Sequence, residues 1–120
     1  MNLPQITITF PGTPEFLRLA RLTSADAGSR AGFDYEDIDD LRIAVSELCS
    51  LIGGSEGGAV TLQFHVAPGR VDVEGRAEPG ALVDSELSRT IVEAVVEDVA
   101  MADENGLARF SCTKRANSTE

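Results

Sequence analysis

Glu47 is the residue in this sequence whose type and place raise a question of chemistry. It lies in "DLRIAVSELCSLIGG", Asp40 to Gly54, close to where the apolar stripe of a helix runs. A carboxylate there reads either as a surface charge or as the remainder of an active site, where it takes a proton as a general base. Other reactive side chains are few. His65 is the only histidine. It falls on the polar side of an alternating strand and has no second histidine to help it, so it reads as a strand surface residue. Cys49 and Cys112 have apolar neighbours and no C-x-x-C spacing. They read as two buried free thiols. Asp34, Glu36, Asp37, Asp39 and Asp40 crowd one helix start. They read as a solvated face matched to the helix dipole. They lack the alternating Asp/Asn and glycine of a calcium loop, so no metal site is expected.

Hydrophobic spacing and turn residues along the chain place these side chains on elements. "QITITF" alternates, with Ile6, Ile8 and Phe10 on one side and Thr7 and Thr9 on the other, which predicts a half-buried strand. Thr13-Pro14-Glu15 is a helix start, with Thr13 as the cap. The helix is expected from about Pro14 to Ser29, with Phe16, Leu19, Ala20 and Ala27 on one face and Gly28 and Gly32 at a fraying end. Asp34 is the cap of a second helix, with Asp37 at the reciprocal position of a capping motif. Its stripe is Ile38, Leu41, Val45, Leu48 and Ile52, with Ala44 and Leu51 beside it. Gly53-Gly54 stops it, and "GGSEGG" reads as a flexible loop. Residues 59–75 predict a hairpin through Pro68-Gly69. A third helix is expected over "LVDSELSRTIVEAVVEDVA", with Leu87, Ile91, Ala94, Val95 and Val99 on one face. "LARFSCTKR" predicts the last strand, with Ala108, Phe110 and Cys112 inward.

That order predicts an α+β two-layer sandwich: a mixed, mostly antiparallel sheet with helices on one face. The other sheet face must be polar, covered or paired. One domain over residues 1–115 and a polar tail over 116–120 account for the 120 residues. Net charge is −10. Phosphates repel such a surface, so direct nucleic-acid binding is not expected, whereas a basic protein partner is permitted. No apolar run spans a bilayer and no signal peptide heads the chain, so no membrane contact and a cytoplasmic location are expected.

The stretch "PEFLRLARLTSADAGSRAGFDYEDIDDLRIAVSELCSLI" carries a resemblance. Arg21-Leu22-Thr23, Gly32-Phe33, Tyr35-Glu36-Asp37-Ile38 and Asp40 through Glu47 match, in order, a pattern of bacterial anti-sigma-factor serine kinases. That family sits within the GHKL, or histidine-kinase-like, ATPases. The match is specific over residues 14–52 and keeps its element order through residue 115. It implies a GHKL (Bergerat-like) fold, and a role in transcription regulation and stress response by partner switching.

The resemblance also implies three nucleotide sites, and this sequence departs from each. The family's helical glutamate corresponds to Glu47, but its magnesium-binding asparagine four residues later corresponds to Leu51, which offers no oxygen. The adenine-reading Asp-x-Gly corresponds to Ala77 and Pro79. The phosphate-cradling glycines before the last helix correspond to Glu86 and Ser88, where a glutamate repels polyphosphate. The ATP lid is shortened to Pro79–Ser85. The expectation is therefore a regulatory protein that binds a sigma factor, an anti-anti-sigma factor, or both, without ATP hydrolysis. No cofactor is expected, Glu47 is vestigial, and enzymatic activity is disfavoured. Arg21 corresponds to the family's sigma-facing surface, with Arg18 and Glu15 on the same helix. The plain alternative for Arg21 is a solvated side chain. Two further readings stay open: an active serine kinase using ATP and magnesium, and an accessory subunit forming a homodimer or a mixed dimer through the first strand and helix.

Overall fold

The computed structural model describes residues 5–53 and 58–117. Five strands and three helices run in the order β1 (Gln5–Pro11), α1 (Leu17–Arg30), α2 (Tyr35–Ile52), β2 (Ala59–Ala67), β3 (Arg70–Glu78), α3 (Glu86–Val95), β4 (Glu97–Glu104) and β5 (Leu107–Arg115). The sheet order is β1-β2-β3-β5-β4. Every strand pairing in it is antiparallel. The expected mixed character survives only as an isolated parallel bridge between Gly53 and Ala81. The helices cover one face, so the two-layer α+β arrangement stands. Among the described residues no helix is long and apolar enough to cross a membrane.

Alternation sets the sheet's inner face. Val60, Leu62, Phe64 and Val66 of β2 are buried, as are Val71, Val73 and Ala77 of β3 and Ala108, Phe110 and Cys112 of β5. Opposite them, α2 buries Leu41, Ala44, Val45, Leu48, Leu51 and Ile52, the stripe its 3.6-residue period predicts. Asp34 caps that helix, its side chain accepting from the Asp37 N–H at 2.9 Å. One glycine is forced by packing: a Cβ on Gly75 would overlap the Phe110 ring and lie 2.9 Å from Leu62 Cδ2. Another, Gly32, closes α1 at φ +84, a conformation side chains resist.

Several expectations need correcting. The third helix ends at Val95, and residues 97–104 form β4. Two periods compete in that stretch. Val99 and Met101 are half-buried while Ala100 and Ala102 are exposed, a period of two, and pairing with β5 selects it. The helix face shifts accordingly: Val92 is its buried residue, Ala94 is exposed, and Leu87 is 72% exposed. Thr13 makes no side-chain cap bond; Pro14–Phe16 form a 3-10 turn before α1. Leu19 points outward. Gly28 does not fray: it is buried, and a Cβ there would meet Phe33 and Ile38 at 3.1 and 3.0 Å. The hairpin runs on to Glu78. Gly54 and most of the "GGSEGG" loop, and residues 118–120 of the tail, lie outside the described residues.

The five acids at the start of α2 are not a single solvated face. Asp37 is 2% exposed. The Lys114 ammonium, itself buried, lies 3.5 Å from Asp37 Oδ1 and 3.1 Å from Asp40 Oδ2, and donates to the Val95 carbonyl at 3.3 Å. The Asn117 N–H donates to Asp37 Oδ2 at 3.1 Å. This buried network ties the start of α2 to the ends of β5 and α3.

Candidate functional site

Glu47 projects from α2 and is half-buried. Among the described residues no ion pair reaches it. One turn later, Leu51 is 2% exposed. The segment after β3 is bonded to this same helix end. The Val83 N–H donates to the Leu51 carbonyl at 2.8 Å. Ala81 bridges Gly53, and the Gly80 N–H donates to the Gly106 carbonyl at 2.8 Å. The Leu82 N–H donates to Asp103 Oδ2 at 3.0 Å. Residues 79–85 thus form a strap pinned to the end of α2 on one side and to the β4–β5 turn on the other.

The strap has no slack at its root. A Cβ on Gly80 would lie 2.7 Å from the Ala77 Cβ and carbonyl, and 2.8 Å from the Ile52 carbonyl. Ala77 is 1% exposed on the sheet's inner face and carries no hydrogen-bonding side chain. Pro79, after a cis peptide bond, is exposed. At the start of α3 the Ser85 hydroxyl accepts from the Ser88 N–H at 3.2 Å, so the helix end is capped by its own chain. Glu86 stands exposed at that end. The residues present therefore do not fit ATP and magnesium. The metal-ligand position holds a buried leucine, the adenine-reading position holds an alanine, and the phosphate position holds a carboxylate beside a capped N–H. Among the described residues no group of three or more His, Cys, Asp or Glu side chains is arranged to hold a metal ion.

Glu15, Arg18 and Arg21 lie apart from the strap, on the 3-10 turn and on α1, and all three are exposed. Arg21 Nη1 donates to the Ser46 hydroxyl at 2.9 Å, so Arg21 spans from α1 to α2. The structure adds two residues to this surface: Leu19 at 40% and Leu22 at 61% exposure. With Glu15 and Arg18 they follow the i, i+4, i+7 spacing of one helix face. The signal lies in "EFLRLARL", where Leu19 and Leu22, three apart, alternate with Arg18 and Arg21, although the sequence alone groups Leu19 with Phe16, Ala20 and Ala27.

The two thiols are free and buried. Burial, and then the neighbouring Cys112, pushes Cys49 up to about 12. Burial, and then Asp72, does the same to Cys112, up to about 12. Both stay protonated at neutral pH and serve as small apolar fillers, not nucleophiles. His65 sits half-buried on the outer sheet face, in register with Asp72.

Known proteins resemble this chain in fold and sequence. No family model matches the chain. The serine-protein kinase RsbW of Listeria innocua is 34% identical over 113 residues, which cover 88% of this chain and 71% of the relative. The protein of the same name from Bacillus subtilis is 35% identical over 77 residues, covering 60% and 48%. In structure, a crystal structure of the RsbU and RsbW domains of a Mycobacterium tuberculosis protein matches with a TM-score of 0.75 at 21% identity. That match covers 93% of this chain and 32% of the larger one, and it supports the fold. Identity above 30% across most of both chains, with the same element order, makes the relationship plain: this chain belongs to the RsbW serine-protein kinase family.

Proposed function

We propose that this chain is an anti-sigma-like regulator that works by partner switching, binding a sigma factor, an anti-anti-sigma protein, or both, and that it does so without ATP hydrolysis. The observation that carries the reading is the strap over α2. Leu51, at the position that would need a metal ligand, is buried, and the strap is bonded to the same helix end through the Leu51 carbonyl. Family membership supplies the binding role; the closed site argues that binding is what remains. The docking surface for a sigma factor is the α1 face, with Leu19 and Leu22 as apolar contacts and Glu15, Arg18 and Arg21 around them. Exposed apolar side chains ringed by charge are the usual makeup of such a patch. The net charge of −10 suits a partner with a basic patch. A second copy or an active relative can pair along β1, an edge strand whose outer edge is unpaired among the described residues. The cytoplasm, where sigma factors act, is the proposed location.

Affinity capture from the native cell tests the reading, scored for sigma factors and small anti-anti-sigma proteins. Recovery of neither class removes its main support. Arg21→Glu and Leu22→Glu should each weaken a captured sigma factor by about tenfold or more, since central interface truncations commonly cost over 1 kcal/mol. Unchanged affinity in both variants would take α1 out of the interface. Calorimetry with millimolar ATP and magnesium should show no heat of binding. A saturable signal would favour the kinase alternative.

A further inference from the structure

The sheet face turned away from the helices has a cavity of its own, about 450 Å³. Three charged side chains line it: Glu74 and Arg76 from β3, and Arg109 from β5. Arg76 and Arg109 are direct register partners, which places their Cβ atoms about 4.5–5.5 Å apart. Like charges so placed repel each other. The chain has only 10 lysines and arginines against 20 acids, yet it sets two arginines side by side. Glu74 and Glu78 lie two residues to either side of Arg76 on the same face. Even so, among the described residues neither arginine makes an ion pair, a state they share with Arg18, Arg21 and Arg89, while Arg30, Arg42, Arg70, Lys114 and Arg115 are paired. Ala100 and Ala102 of β4 stand opposite Ser111 and Arg109. Their short side chains leave the space over β5 open, and Ser111 adds a hydroxyl donor to the lining.

We infer that this cavity binds a small phosphorylated ligand, with Arg76 and Arg109 clamping its phosphoryl group. Each guanidinium presents a planar fork of N–H donors. A carboxylate has two oxygens and one charge, enough for one fork. A phosphoryl group has three oxygens and up to two charges, enough for both. Arg76, Arg109 and Glu74 of the lining sum to one net positive charge, with Glu78 on the same face outside that lining, against a background of −10 for the chain. Glu74 is left to accept from a hydroxyl or amine on the rest of the ligand. The site is separate from both α2 and the α1 face, and the inference does not rest on the proposed function.

The test is an NMR titration of the full chain with inorganic phosphate, run against chloride at matched ionic strength and against acetate. Saturable shifts centred on Arg76, Arg109 and Ser111 are expected with phosphate. Affinity should fall about tenfold or more in Arg76→Gln and Arg109→Gln, the loss of one charge-assisted contact. Both arginines are exposed, so the variants should fold. Relief of the like-charge pair should raise their Tm by about 1–4 °C in phosphate-free buffer. Shifts that match chloride, or that persist in Arg109→Gln, overturn the site. Acetate binding as tightly as phosphate overturns the phosphoryl assignment. A lower Tm in Arg109→Gln overturns the idea of an unpaired clamp, because it means the arginine is already stabilised by a neighbouring carboxylate.

Discussion

Leu51→Asn restores the amide that the family's nucleotide chemistry uses, and it separates a closed site from an open one. In an open site the new amide would face solvent or nucleotide, and the change would cost little. Here Leu51 is 2% exposed, and its carbonyl is bonded to the strap. Removing a buried leucine side chain loses about 1.5–3 kcal/mol of apolar burial. The incoming amide finds the nearby Leu51 carbonyl already bonded to the Val83 N–H. Burying it without partners adds about 1–3 kcal/mol. The sum, about 2.5–6 kcal/mol, is a large share of the roughly 5–15 kcal/mol that holds a domain together. Urea unfolding of Leu51→Asn and wild type should show that loss as a lower midpoint at similar slope. The same measurement with ATP and magnesium completes the test. A nucleotide present at about one hundred times its dissociation constant would add about 2.7 kcal/mol. We expect no such gain in either protein. A loss below about 1 kcal/mol combined with nucleotide stabilisation would refute the closed-site reasoning, because position 51 would then face a pocket.

Gly80→Ala should destabilise by about 1–3 kcal/mol, the usual cost of overpacking, because its Cβ meets Ala77 and the Ile52 carbonyl below 3 Å; thermal melting reads it, and an unchanged Tm would mean the strap can lift. Lys114→Met should cost about 3–5 kcal/mol, since it leaves Asp37 and Asp40 without their buried cation. Asp37→Asn should cost less, because the Lys114–Asp40 pair survives it; chemical unfolding of the two variants should rank them in that order. Stability should fall as pH rises above about 9, the ordinary thiol value, toward the folded value near 12 of Cys49 and Cys112. The unfolded thiols release protons that the folded ones keep, so unfolding gains as protons become scarce. Urea midpoints compared between pH 8 and pH 10 should show a smaller drop in Cys49→Ala/Cys112→Ala than in wild type.

Periodicity made much of this molecule readable. The α2 stripe, the β2–β3 hairpin and the inward Ala108, Phe110 and Cys112 all follow from a repeat of 3.6 or 2. Such repeats reflect one face turned from water, a local property that a window of ten residues records. The stretch after Val95 fits both repeats, so its sequence alone also predicts helix. Its strand state depends on β5, which supplies the hydrogen bonds. Leu19 and Leu22 show the same limit from the other side: a leucine's type favours burial, but nothing local says whether a partner element covers it.

The sequence by itself determined the family, the two-layer class and which side chains stand at positions 51, 77, 79, 86 and 88, because those depend on residue type and order alone. Tertiary structure decided what surrounds those positions. Val83 meets Leu51 only because β3 returns beside α2, and Gly80 is forced only by its approach to Ile52 and Ala77. Asp37 was read as one acid of a solvated row; it is buried because Lys114, 77 residues later in the chain, arrives over it on β5. Arg76 and Arg109 are 33 residues apart in sequence and become direct neighbours only through the β3–β5 register. Residue type and spacing report what a side chain can do, while charge pairing and burial depend on neighbours that only the folded chain brings together.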